Sequence, residues 1–123
     1  ASPRLDETRK KKMNETTNKT ETFNDIINGE KPVLVDFFAE WCGPCKLMKP
    51  ILEELHAKMS DDIRIIKVDI DKSPAASSHY NVTSVPTLML FQKGNILWRL
   101  PGVVPAVSLQ KIISHFISQN NAH

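Results

Sequence analysis

A chain of 123 residues, 41% of them hydrophobic, is long enough for one domain with a sizeable core. No apolar run approaches the ~20 residues of a membrane-spanning helix, and a net charge of +2 is too small to suggest a nucleic-acid partner. The charge is unevenly placed: residues 1–19 carry six Lys/Arg against three acids, or +3, which leaves −1 on the remainder.

Residues 1–19 are polar and lack strand-like alternation. They read as a basic extension, helical or flexible, ahead of a domain over residues 20–123. Ser2-Pro3 has the form of a helix start. The run Arg9-Lys10-Lys11-Lys12 reads as a solvated face rather than a binding patch. Thr20 or Thr22 is placed to cap a short helix through Phe23, Ile26 and Ile27, which Gly29 ends and Pro32 follows.

Val33 to Phe38 is near-continuously apolar, the pattern of a strand buried on both faces. A helix is expected from Pro44 to about Met59, with Leu47, Met48, Ile51, Leu52 and Leu55 as its buried stripe and a kink at Pro50. Ile63 to Val68 is a second strand, and strand, helix and strand at this spacing make a right-handed parallel unit. Ser73-Pro74 opens a short helix to about Tyr80. Thr87–Phe91 and Ile96–Leu100 flank Lys93-Gly94 as a hairpin. A last helix runs from about Ala106 to Gln119, with Leu109, Ile112, Ile113, Phe116 and Ile117 towards the sheet.

The reactive feature is Trp41-Cys42-Gly43-Pro44-Cys45, which holds the only two cysteines. They follow a strand and open a helix. A thiol there meets converging backbone N–H groups and the positive end of the helix dipole, so its pKa is expected below the free value of about 8.5. The second thiol is one turn on, within reach of any mixed disulfide that the first one forms. A structural zinc site needs four ligands, and His56, His79, His115 and His123 are scattered without ligand spacing. A purely stabilising disulfide is also a poor fit, because so small a loop constrains the unfolded chain little.

Val-Asp-Phe-Phe-Ala-Glu-Trp-Cys-Gly-Pro-Cys-Lys at 35–46 resembles the active-site signature of the thioredoxin family. Pro50 matches the kink proline of that family, Val85-Pro86-Thr87 its cis-proline loop, and Gly94 and Gly102 two later glycines. The resemblance covers roughly residues 20–119. It implies an α/β thioredoxin fold, a central mixed β-sheet with helices on both faces, and reduction or exchange of disulfides in other proteins. Three departures stand out. Polar Glu15-Thr16-Thr17-Asn18 falls where an apolar first edge strand is usual, which puts that strand in question. Phe38 stands where Trp is usual, and Ser84 where Gly is common.

On this resemblance Cys42 is expected to be the nucleophile, as the more exposed thiol, and Cys45 the resolving thiol. Asp36, the one charge in an apolar strand, is expected to be a buried base for Cys45, its pKa raised by burial. Lys67 on the neighbouring strand is expected to tune it. A cis bond before Pro86 would present the backbone of Val85 to an extended substrate and keep metal ions off the thiols. Trp41, Gly43, Pro44, Val85, Pro86, Gly102 and Val103 are the expected substrate-binding residues, with no metal and no bound cofactor.

The expected partners are disulfide-containing protein substrates and a reductase or membrane electron donor, with no nucleic acid and a monomeric state. Gly43-Pro44 adds no charge beside Cys42, which argues for a reducing poise. The rival readings are an exported oxidant or isomerase and a non-enzymatic binding module. Intact Cys42 and Cys45 count against the second rival. The start at Ala1 and a polar arm of about 20 residues suit a spacer after a removed signal or lipid anchor, so a bacterial periplasm is favoured over the cytoplasm.

Overall fold

The computed structural model describes residues 21–120. The readings of residues 1–19, and of the polar stretch 15–18 in particular, lie outside the described residues.

Thr22 caps the first helix, α1 (Phe23–Ile27), through a reciprocal pair. Its Oγ1 accepts from the Asp25 N–H, and the Asp25 carboxylate accepts from the Thr22 N–H, both at 3.1 Å. Two backbone and side-chain groups at the helix start are thereby satisfied together. Strand β1 (Val33–Phe38) follows. It lies inside a four-stranded sheet of order β2-β1-β3-β4. β2 (Arg64–Asp69) runs parallel to β1, β3 (Thr87–Gln92) antiparallel to β1, and β4 (Asn95–Pro101) antiparallel to β3. An inner position explains the near-continuous apolar pattern of β1. β2 starts at Arg64, one residue after the expected Ile63, which is buried just ahead of it.

The pleat sends successive side chains to opposite faces. Leu34 of β1, with Leu88 and Leu90 of β3, packs against Met48, Leu52 and Leu55 of helix α2 (Met48–Met59) and Leu109 and Ile113 of helix α4 (Ala106–Asn120). Val33, Val35 and Phe37, with Met89 and Phe91, pack against Phe23 and Ile27 of α1 and Ala76 of helix α3 (Pro74–His79). The sheet is therefore covered by helices on both faces. By alternation Asp36 and Phe38 share the face of Leu34.

The β3–β4 connection is two residues long, with Gln92 directly opposite Asn95. Lys93 and Gly94 both have positive φ, 54° and 82°, as a tight hairpin turn of matching twist requires. A Cβ at residue 94 would also run into the side chain of Asn28. The turn is tied back to the end of α1, because the Lys93 and Gly94 N–H groups donate to the carbonyls of Gly29 and Ile27 at 3.0 and 2.9 Å.

The helix after the cysteine motif is not the single kinked rod that the sequence suggested. A 3₁₀ turn covers Pro44–Leu47, and the α-helix begins at Met48. Pro50 has no N–H to bond back to the Lys46 carbonyl, so a regular α ladder cannot run through 46–50. Pro50 sits instead in the first turn of α2, where N–H groups have no intrahelical partner to lose. The tighter winding of the 3₁₀ segment, about three residues per turn, also takes Leu47 out of phase with the buried stripe. Leu47 is 58% exposed, against 0% for Met48.

Candidate active site

β1 delivers the chain to the reactive turn at one end of the sheet. Cys42 and Cys45 are joined as a disulfide, with their Cα atoms 5.4 Å apart. The Cys45 N–H donates to Cys42 Sγ at 3.2 Å. Exposure does not separate the two residues as expected: Cys42 is 4% and Cys45 5% exposed. What separates them is their surroundings. Cys42 receives the backbone donor, and its sulfur lies 3.6 Å from the carbonyl oxygen of Val85. Ala39 completes a small buried cluster with the pair, and half-buried Phe38, Ile70 and Val85 pack against it.

The Val85–Pro86 peptide is cis. Two hydrogen bonds hold this loop. The Thr87 hydroxyl donates to the Ser84 carbonyl at 2.7 Å, and the Gly102 N–H donates to the Pro86 carbonyl at 2.8 Å. Gly102 has a φ of 103°, and nothing lies within 4 Å of where a Cβ would be. Its backbone conformation, not lack of room, calls for glycine there. These contacts bring Cys42, Val85, Pro86 and Gly102 together. Trp41, Gly43, Pro44 and Val103 are exposed, Val85 and Gly102 are half-buried, and Pro86 is buried. Pro86 thus supports the apolar rim from beneath rather than lying on it.

Trp41 is 69% exposed, and its indole N–H donates to Asp71 Oδ2 at 2.8 Å. Asp71 was not anticipated. It lies 30 residues on in sequence, and no local pattern distinguishes it from its acidic neighbour Asp69.

Asp36 is fully buried, and neither carboxyl oxygen accepts a hydrogen bond from the described residues. Burial pushes its pKa from the ordinary 3.8 up to about 6, partly opposed by the charge of Lys67. Lys67 stands opposite Asp36 in the parallel β1–β2 register. Its ammonium rests over the Phe38 ring, 4.7 Å from the centroid. The ring that replaces the usual Trp is therefore the seat of this charge, a role that sequence reasoning did not assign to it.

An open cleft of about 560 Å³, lined by Pro32, Met59, Asp62, Gln92 and Ile117 among others, lies at the other end of the strands. It contains no cysteine.

The sequence profile of the thioredoxin family matches residues 14–115. The chain belongs to the thioredoxin family. It is 43% identical over 96 residues to a thioredoxin-like protein of Synechocystis, covering 77% of this chain and 91% of that one. It is 38% identical over 97 residues to the thioredoxin of Mycobacterium bovis, covering 79% of this chain and 84% of that one. Among solved structures, oxidised mitochondrial thioredoxin 3 of Saccharomyces cerevisiae superposes with a TM-score of 0.69 at 34% identity. That match covers 76% of this chain and 86% of the yeast chain. Thioredoxins act on disulfide-containing substrates and are reduced by a reductase. With its Cys42–Cys45 pair, this chain is a thiol-disulfide oxidoreductase.

Proposed function

We propose that the chain reduces disulfides in other proteins, with Cys42 as nucleophile, Cys45 as resolving thiol and Asp36 as base. The observation that carries this reading is the Cys45 N–H aimed at Cys42 Sγ. In the dithiol form that donor favours a thiolate on Cys42. The thiolate attacks one sulfur of a substrate disulfide, and the other sulfur leaves as a thiolate and takes up a proton. Cys45 then gives its proton to the Asp36 carboxylate and attacks Cys42 Sγ. The second substrate thiol is released, two electrons have passed to the substrate, and Cys42–Cys45 is a disulfide again. A dithiol reductase returns the pair to its reduced state.

The exposed rim of Trp41, Gly43, Pro44 and Val103, with the half-buried backbone of Val85 and Gly102 behind it, suits an extended, partly apolar substrate segment. Asp36 is suited to its role because, at about 6, it is mostly ionised at neutral pH yet basic enough to accept a proton.

Redox direction rests on the dipeptide between the cysteines. Gly43 and Pro44 bring no positive charge to Cys42, so backbone donors are the main stabilising influence on the thiolate. A moderately stabilised thiolate makes a moderately reducible disulfide, and hence a reductant rather than a strong oxidant. Equilibration with glutathione measures the potential, and turnover of a small protein disulfide with dithiothreitol measures the activity. A reducing potential with ready turnover is expected, and Pro44→His is expected to raise the potential. A wild-type potential close to that of strong oxidants would replace this reading with an oxidant or isomerase.

A further inference from the structure

The mechanism above needs Asp36 ionised near neutrality yet able to hold a proton, and Lys67 is the charge that acts on it. Lys67 is exposed on β2, an edge strand of the described sheet. An exposed lysine on a four-carbon stem ordinarily spreads over many rotamers in water. Here the ammonium sits 4.7 Å from the Phe38 ring centroid, within cation–π range. Phe38 lies two residues beyond Asp36 on the same face of β1. The ammonium makes no hydrogen bond with the carboxyl, whose oxygens have no partner among the described residues.

We propose that Phe38 is a positioning residue: its ring seats the Lys67 ammonium and so holds that charge near, but off, the Asp36 carboxyl. The consequence for the reaction rests on the reading of Asp36 as the base. A free ammonium would leave for solvent, and the carboxyl would lose an electrostatic partner. An ammonium in contact with the carboxyl would return it towards ordinary acidity and blunt it as a base. The ring holds an intermediate state. The other groups over Asp36 do not compete for this role. β3 places apolar Leu88 opposite it, and α2 and α4 bring apolar Met48, Leu52, Leu55, Leu109 and Ile113 to this face of the sheet. Phe in place of Trp at this position gives up an indole N–H but keeps the π face on which the seat depends.

The test follows the Asp36 carboxyl directly, by carbon-13 NMR titration of the full chain in its disulfide form. Phe38→Leu and Phe38→Met both remove the ring, so a folding defect in one leaves the other as a reporter. Each is expected to move the Asp36 midpoint upward by roughly half a unit, towards the value in Lys67→Met. Phe38→Tyr keeps a π face and is expected to titrate like the wild type. In the Lys67→Met background, loss of the ring is expected to add nothing, because the charge it positions is gone.

Three results would overturn the proposal. They are an unchanged midpoint, a downward one, or the same shift with and without Lys67, which would mean that the ring acts on Asp36 through packing. The rate of mixed-disulfide release against pH separates this proposal from the reading of Asp36 as base. If the NMR midpoint moves and the acid limb of the rate profile moves with it, both stand. If only the midpoint moves, Phe38 positions Lys67 but Asp36 is not the base.

Discussion

The backbone N–H of Cys45 points at the sulfur of Cys42 across 3.2 Å. The relation is one-directional: the Cys42 N–H donates instead to the Ala39 carbonyl at 3.1 Å. Negative charge is therefore better accommodated on Cys42 than the near-equal burial of the two residues would suggest. Cys45→Ser is expected to accumulate stable mixed disulfides with substrate proteins, and Cys42→Ser none, as read by mass spectrometry of non-reduced protein. Equal trapping by both variants would remove the assignment of roles.

Burial of Asp36 has a thermodynamic signature. A carboxyl raised to about 6 keeps a proton in the folded protein that the unfolded chain has already lost. Stability therefore falls as pH rises from about 4 to about 6 and is level above that. Asp36→Asn removes the ionisation. It is expected to stabilise the disulfide form at pH 8 by up to about 3 kcal/mol and to bring little gain at pH 4. The buried amide keeps its own hydrogen-bonding demand, so the full figure is a ceiling. Urea unfolding at the two pH values measures the difference. The same gain at both would trace the effect to packing rather than charge.

The same substitution has a kinetic signature. Asp36→Asn is expected to slow release of the mixed disulfide by roughly 100-fold at pH 7. The deficit is expected to shrink above about pH 8, where hydroxide increasingly replaces the lost base. Single-turnover kinetics across pH follow this step alone. A loss that does not vary with pH would leave Asp36 a structural role only.

A long-range ion pair joins the start of the described chain to the sheet. Arg64 Nη1 and Nη2 donate to Glu21 Oε2 and Oε1 at 3.0 and 2.7 Å. The hydrogen bond from Arg64, aided by its charge, lowers the Glu21 pKa, with partial burial working against it. A lowered carboxyl adds stability that is present above the unfolded value near 4.5 and is lost as pH falls through the folded one. The pair is partly exposed, so Arg64→Met is expected to cost about 1 kcal/mol at pH 7 and less at pH 3. Lys at this position cannot form the two-pronged contact and is expected to recover only part of the loss. Thermal melts at both pH values decide the matter.

Much of the fold was legible because its signals are local. The apolar run of β1 reports an inner strand, and its bounds of Val33 and Phe38 match the structure. Lys93-Gly94 reports the hairpin, since a two-residue turn needs positive φ and glycine supplies it cheaply. The spacing of Leu109, Ile113 and Phe116 reports the buried face of α4. The cysteine pair and the acid inside an apolar strand stand out from their immediate neighbours, whereas the proline before β3 was singled out by the resemblance to the thioredoxin family.

Tertiary structure alone decided what depends on groups far apart in the chain. Gly102 meets Pro86, and Trp41 meets Asp71, only because separate connections converge at one end of the sheet. Exposure of the two sulfurs depends on Phe38 and Val85 packing around them, so it cannot be read from a five-residue motif. Leu47 faces solvent because a missing N–H at Pro50 changes the winding one turn earlier, and a periodicity count assumes a constant number of residues per turn. Lys67 is exposed, yet the parallel register sets it beside Asp36 and its ammonium lies over the Phe38 ring. Composition and spacing therefore determined which residues can react. The packing of distant segments decided how each one's charge, exposure and partners are set, because burial and Coulomb forces act through space and not along the chain.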